Sequence, residues 1–238
     1  RRSRRERDVF LWLRSYMGDL FFDPFTDDQK SMAQAILDAA QYGGDQAIAA
    51  ERSGGKSAIT EGVTIYCICR GILRFPLIVA ATGTHADQIL DNIKGNFEEN
   101  DVLAVDYPEI CDPIRALEGA PQRCKMQTVA GKRTMMRWSG QAVKFPTVPG
   151  SPASGSILMT RGLDAAIRGI RVGTRRPDLV IIDDPETEES ARSPTQIESR
   201  ERKLERDIGG LGGAGKKLSR VMLCTCQNRM SIAYKYTD

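Results

Sequence analysis

Twice in its first hundred residues the chain runs from a short apolar segment through a glycine turn into a helix, and that alternation admits few folds. The first unit is QAIAAERSGGKSAIT and beyond, with an apolar run at 46–50, a glycine-rich loop and a helical stretch over 57–70. The second is RFPLIVAATGTHADQILDNIKGNF, with a strand at 77–81, a turn at Thr82-Gly83-Thr84 and a helix through 87–97. Strands joined by helices pair in parallel, because the crossover returns the chain to the same end of the sheet. PDLVIIDDPETEE adds a continuous apolar run at 179–182, the pattern of a strand buried on both faces.

Other stretches fill in the frame. Residues 8–22 carry apolar and charged positions at helical spacing and predict an amphipathic lead-in helix. The following helix has Thr26 as N-cap with Gln29 at capping-box spacing, and Gly43-Gly44 as its stop. KMQTVA, TMMRW and QAVKFPTV predict short strands, some on an antiparallel edge, and SILMT and SRVMLC predict further buried strands. Ser193-Pro194-Thr195-Gln196 opens a charged helix to about residue 207, and GGLGGAGKK at 209–217 reads as a loop. The expected organisation is an N-terminal arm and helix over 1–24 and one α/β domain over 25–238.

Chemistry enters at the loop. A phosphate cradle needs backbone N–H groups at a helix N-terminus, glycine where the chain passes close to phosphate, a lysine and a hydroxyl for magnesium. Ser53-Gly54-Gly55-Lys56-Ser57 supplies all four, whereas Ala50 stands where the usual pattern has its first glycine. Alanine serves there unless the position demands positive φ. The partner half is LVIIDD, a strand ending in one acid placed to hold Mg²⁺, Asp183, and a second placed to polarise water, Asp184. Both halves in order predict a P-loop NTPase fold of the RecA-like (ASCE) kind, with a nucleoside triphosphate and Mg²⁺ as ligands.

Composition excludes less than it allows. No run approaches the roughly 18 apolar residues of a membrane span, and the net charge of +3 by itself requires no polyanion. RRSRRER at 1–7 reads either as a solvated basic arm or as a contact for nucleic acid or an acidic partner. Six cysteines in C-x-C pairs and singletons, with His85 the one histidine, argue for reduced, mostly buried thiols rather than a zinc centre.

The set Arg52 to Ser57, IRGIRVGTRRPDLVIIDDPE at 167–186 and LCTCQN at 223–228 resembles the ATPase domain of large terminase subunits of tailed bacteriophages, from about residue 20 onward. The resemblance implies an ATP-hydrolysing motor that drives double-stranded DNA into procapsids in the cytoplasm of the infected host. Its implied partners are DNA, a portal protein and a small terminase subunit, in a ring of copies when assembled; a monomer in isolation is compatible with this, and no membrane is involved. It places Lys56 on the β- and γ-phosphates, Ser57 and Asp183 on Mg²⁺, and Arg52 near the γ-phosphate. Thr225, Cys226 and Gln227 match the segment that senses the γ-phosphate, and Phe25 to Gln29 matches the adenine-recognition segment, where the capping box competes for Gln29.

Two assignments stay open. The family often has glutamate at the water-polarising position, and Asp184 is one methylene shorter, about 1.5 Å; either Asp184 or Glu186 beyond Pro185 is the catalytic acid. Arg168 and Arg171 are candidates for an arginine supplied to a neighbouring subunit, against a solvated or DNA-facing patch. No carboxylate cluster for the family's nuclease domain is present, so the chain is expected to be the N-terminal part of a longer protein. Rival functions are a helicase-like or other DNA-translocating ATPase, a nucleotide-binding regulatory module without turnover, and a basic DNA-binding protein whose loop is incidental.

Overall fold

A computed structural model describes residues 1–212, 218–227 and 229–237. Of the loop expected at 209–217, residues 213–217 lie outside the described residues, as does Asn228 of the last expected motif.

The N-terminal segment forms helices α1 (Arg2–Arg5) and α2 (Val9–Tyr16), so the amphipathic helix expected over 8–22 ends six residues early. α2 starts where Asp8 accepts hydrogen bonds from the Phe10 and Leu11 amides. Helix α3 (Asp27–Tyr42) has the full capping box between Thr26 and Gln29, and Gly43 closes it at φ 80°. Strand β1 (Asp45–Ala49), helix α4 (Lys56–Cys69), strand β2 (Pro76–Ala80) and helix α5 (Gly83–Glu99) are the two expected strand–turn–helix units.

Helices α6 (Asp101–Asp106) and α7 (Pro108–Arg115) follow, started by the Asn100 side chain and by Pro108 at the first turn. The middle region gives β3 (Thr128–Val129), β4 (Lys132–Arg133), β5 (Arg137–Trp138) and β6 (Ala142–Lys144), all of two or three residues. Strands β7 (Ile157–Gly162) and β8 (Leu179–Asp183), helix α8 (Pro194–Arg202), strand β9 (Ser219–Cys224) and helix α9 (Ile232–Thr237) complete the described strands and α-helices.

Seven strands form one sheet in the order β1-β9-β8-β2-β7-β6-β5. The five from β1 to β7 run parallel, and β6 and β5 add an antiparallel edge. This is the expected α/β architecture. Successive residues of β8 serve opposite faces: Leu179 and Ile181 join one core with α2 to α7, while Val180 and Ile182 join a second with Ile197, Leu204 and Ile232. Burial on both faces explains why the run is continuously apolar. Register aligns Ala80 with Asp183, Asp183 with Leu223, and Ala49 with Cys224. The carboxyl ends of β1, β9, β8 and β2 therefore open on one edge, the place where α/β sheets bind ligands.

The basic N-terminus is not a solvated arm. Arg1 and Arg5 meet Asp106 at 2.7 and 3.0 Å, and Arg2 meets Glu6 and Glu109 at 2.9 and 2.7 Å. Tyr16 donates its hydroxyl to the same Asp106 at 2.6 Å, and Trp12 donates its indole N–H to Tyr107. Gly62 of α4 lets α2 approach, since a Cβ there would lie 2.5 Å from a Leu13 methyl. These contacts dock the segment onto α4, α6 and α7 and pair Arg1, Arg2 and Arg5 within the chain, whereas Arg4 and Arg7 stay exposed. No helix among the described residues is long and apolar enough to cross a membrane. All six cysteines are free, five of them buried and Cys226 exposed.

Candidate functional site

The loop between β1 and α4 turns sharply, and its residues divide the conformational work. Gly55 stands before α4 at φ 81°, a left-handed conformation that favours glycine, and Ser53 takes φ 65°. Ala50 is absent from the positive-φ residues, and its amide donates to the Cys224 carbonyl at 2.9 Å as a continuation of the sheet. Alanine at the missing-glycine position is thus unstrained. Gly54 is closely approached, because a Cβ there would lie 3.0 Å from the Glu51 carbonyl oxygen.

Lys56 is buried at the first position of α4, and its ammonium donates to the Glu51 carbonyl at 3.0 Å and lies 3.5 Å from Asp184 Oδ2. Ser57 donates its hydroxyl to Asp183 Oδ2 at 2.6 Å. Asp183 is fully buried at the end of β8, and its other oxygen, Oδ1, has no hydrogen-bond partner among the described residues. Burial raises the Asp183 pKa, an effect that the Ser57 hydrogen bond opposes and the neighbouring Asp184 charge reinforces. An orphaned buried carboxylate oxygen beside a hydroxyl fits a divalent cation, which would supply the missing positive charge. Among the described residues there is no group of three or more His, Cys, Asp and Glu that could hold a metal alone. Such a cation would complete its shell with phosphate oxygens and water, as Mg²⁺ does.

Asp184 follows at φ 43°, a left-handed conformation that aspartate tolerates better than most residues. Its amide donates to the Leu223 carbonyl, and its Oδ1 accepts from the Thr225 hydroxyl at 3.0 Å. The carboxylate is thereby held between Lys56 and the end of β9. Glu186 is turned elsewhere: it is buried, and its Oε2 accepts from the Ile232 and Ala233 amides at 2.8 and 3.4 Å, at the start of α9. Burial raises its pKa, and those two amides act against the rise. Glu186 Oε2 is thus engaged with α9 while its Oε1 has no hydrogen-bond partner among the described residues, and Asp184 is the acid that lies beside Lys56. Gln227 reaches the Glu186 carbonyl rather than the loop, at 3.4 Å.

Gln29 serves both of its competing surroundings. Its Oε1 accepts from the Thr26 amide at 3.2 Å, and its Nε2 donates to the Gly54 carbonyl at 3.4 Å. The amide is occupied at both ends, so reading an adenine edge would require it to let go of the loop. Arg52 is exposed and 3.7 Å from Glu188. Arg168 is exposed and 3.9 Å from Asp207, and Arg171 is exposed. Neither of these two is brought to the loop of its own chain.

Beside the loop lies an open cavity of about 740 Å³, whose lining includes Ala50, Arg52, Glu188, Arg192, Thr225 and Gln227. Arg192 is a residue that sequence reasoning missed; its guanidinium is 3.7 Å from the same Glu188 oxygen that Arg52 approaches. Two cations thus flank one carboxylate at the mouth. His85 was also missed as a site residue: it sits in the first turn of α5, with Nε2 3.8 Å from Asp183 Oδ2. The Thr82-Gly83-Thr84 turn was the available signal, since a turn at a strand's carboxyl end delivers the next helix to the ligand edge. Arg200 of α8 donates to the Ala81 and Pro185 carbonyls at 3.1 and 2.6 Å and braces the ends of β2 and β8. Glu61, one turn beyond Ser57, has its pKa raised to about 7 by burial, against a hydrogen bond from Asn92.

No protein-family model matches the chain, and no curated protein matches it. Among solved structures, an arginine-to-alanine variant of the large terminase ATPase domain of Thermus phage P74-26 is similar, with 17% identity and a TM-score of 0.39. The match covers 80% of this chain and 62% of that one, so the chain spans less than two thirds of its neighbour's length. A likeness that distant leaves the site to be read from its own geometry.

Proposed function

We propose that the chain is an ATP-hydrolysing motor domain of the terminase large-subunit type, using Mg²⁺-ATP to move double-stranded DNA. The observation that carries this reading is the meeting of Lys56, Ser57, Asp183, Asp184 and Thr225 at the carboxyl ends of the sheet's parallel strands. Loop amides and the N-terminus of α4 would bind the phosphates, with Lys56 neutralising the β- and γ-oxygens. Ser57 and Asp183 would hold Mg²⁺, which when bound neutralises charge on the transferring phosphoryl group. Asp184 would accept the proton of the attacking water. Thr225, bonded to Asp184, gives β9 a direct response to the state of that carboxylate, and Arg52 with Arg192 would leave Glu188 for the triphosphate.

Packaging into procapsids, a portal and a small terminase subunit as partners, a ring of copies, a trans-acting Arg168 or Arg171, and residence in the infected host's cytoplasm belong to the same proposal; they are supported by the sequence resemblance. The test is phosphate release from ATP with Mg²⁺, with and without duplex DNA. Release that DNA raises several-fold is expected. Tight ATP binding without any release would instead make the chain a regulatory module.

A further inference from the structure

From Gly119 to Leu163 the sequence contains no aspartate or glutamate, in a chain that has 31 of them, yet it contains seven arginines and lysines. Lys125, Lys132, Arg133 and Arg137 are exposed and Lys144 is half-buried. None of these five is in an ion pair among the described residues, whereas Arg123 in the same stretch is paired with Glu118. Lys125, Arg133, Arg137 and Lys144 line one groove of about 370 Å³ between the β3–β4 hairpin and the antiparallel sheet edge. In the N-terminal arginine run, by contrast, Arg1, Arg2 and Arg5 are paired with Asp106, Glu109 and Glu6, which leaves only Arg4 and Arg7 exposed without an ion pair among the described residues.

Uncompensated like charges around one groove repel each other, so the fold gains nothing from gathering them. Cations do protect exposed sheet edges from pairing with other strands. That role covers Arg137 on the edge strand β5 and also Lys132 and Arg133 on β4, a strand of a two-stranded sheet, but not Lys125 or Lys144, which stand on no edge strand. Lysine is depleted at protein–protein interfaces, and three of these five cations are lysines. The one tryptophan of the region, Trp138, is buried, so no aromatic platform is offered for stacking unpaired bases.

We propose that the β3–β4 hairpin and the β5–β6 edge form a docking surface for the phosphate backbone of duplex nucleic acid, with Lys125, Lys132, Arg133 and Arg137 as its phosphate contacts. This rests on the motor reading only for its biological sense; the surface itself is defined by charge and can be tested without ATP. Binding through it is independent of base sequence and falls steeply with salt, by a slope of about 0.9 per phosphate neutralised.

The experiment is fluorescence anisotropy with a labelled duplex over a range of salt concentrations, on wild type, the K125Q/K132Q/R133Q/R137Q variant and R123Q. The quadruple variant should bind about 100-fold more weakly at low salt, with a salt slope shallower by roughly three to four. R123Q should stay within about twofold of wild type, because that charge is already paired. Phosphate release without DNA should be unchanged in the quadruple variant, which also reports that it folds. Undiminished affinity and slope in that variant, no duplex binding by wild type, a marked preference for single strands, or equal competition by a poly-glutamate peptide would each overturn the proposal. Duplex binding lost in the variant, from a wild type that releases no phosphate, would uphold the surface and sink the motor reading.

Discussion

Asp184→Asn is expected to bind ATP as wild type does and to hydrolyse it about 10²- to 10⁴-fold more slowly, the usual contribution of a positioned base. Asparagine matches the volume of aspartate and shares its tolerance of the φ 43° backbone, so the turn after β8 should survive. It can still meet the Thr225 hydroxyl, 3.0 Å from Oδ1 in the wild type. What disappears is the charge that faces Lys56 and accepts a proton from water. Single-turnover phosphate release, beside calorimetric ATP binding, separates the two quantities. Glu186→Gln is the matched control: the glutamine carbonyl oxygen can still accept from the Ile232 and Ala233 amides, and burial already raises the Glu186 pKa, so the variant should keep its fold and leave turnover close to wild type. Normal turnover in D184N with loss in E186Q would reverse the assignment.

Asp183→Asn should move activity and stability in opposite directions. Burial raises the Asp183 pKa above its ordinary value, so the folded state holds this proton more tightly than the unfolded chain. Stability then falls as pH rises through the unfolded pKa, near 3.9, toward the folded one, and the penalty is complete above both. Removing the charge abolishes that penalty at neutral pH, where wild type carries it in full. In a metal chelator, D183N should therefore melt higher than wild type at pH 7, with the difference shrinking toward pH 3.5. With Mg²⁺ and ATP it should show little phosphate release, because Ser57 alone would remain for the cation. A lower melting temperature for D183N at pH 7 in chelator would mean that Asp183 stabilises the fold, contrary to a carboxylate kept for a ligand.

The parts of this site that were legible in the sequence are those written in local pattern. The capping box of Thr26 and Gln29, the loop before α4 and the apolar strand before Asp183 each depend on residues within a few positions of one another. Their meeting was also readable, since a parallel sheet aligns the carboxyl ends of its strands. What escaped depends on distant partners. Whether Asp184 or Glu186 faces the loop turns on α9, forty-odd residues later, whose first amides claim the Glu186 carboxylate. Whether the N-terminal arginines are free turns on Asp106 and Glu109, a hundred residues away. His85 and Arg192 sit on helices whose placement at the ligand edge follows from packing rather than from spacing. Helices α6 and α7 are short, and their apolar residues are too few to declare a period.

The most direct test of the account is phosphate release from Mg²⁺-ATP by wild type and Lys56→Ala side by side. Lys56 is the buried cation that joins the loop carbonyl of Glu51 to Asp184, and the proposal sets it on the β- and γ-phosphates. Release by wild type that falls about 100-fold or more in K56A, with the fold retained by circular dichroism, is the predicted result. Equal release by the two proteins, or none by either, would contradict a nucleotide-hydrolysing site at this loop.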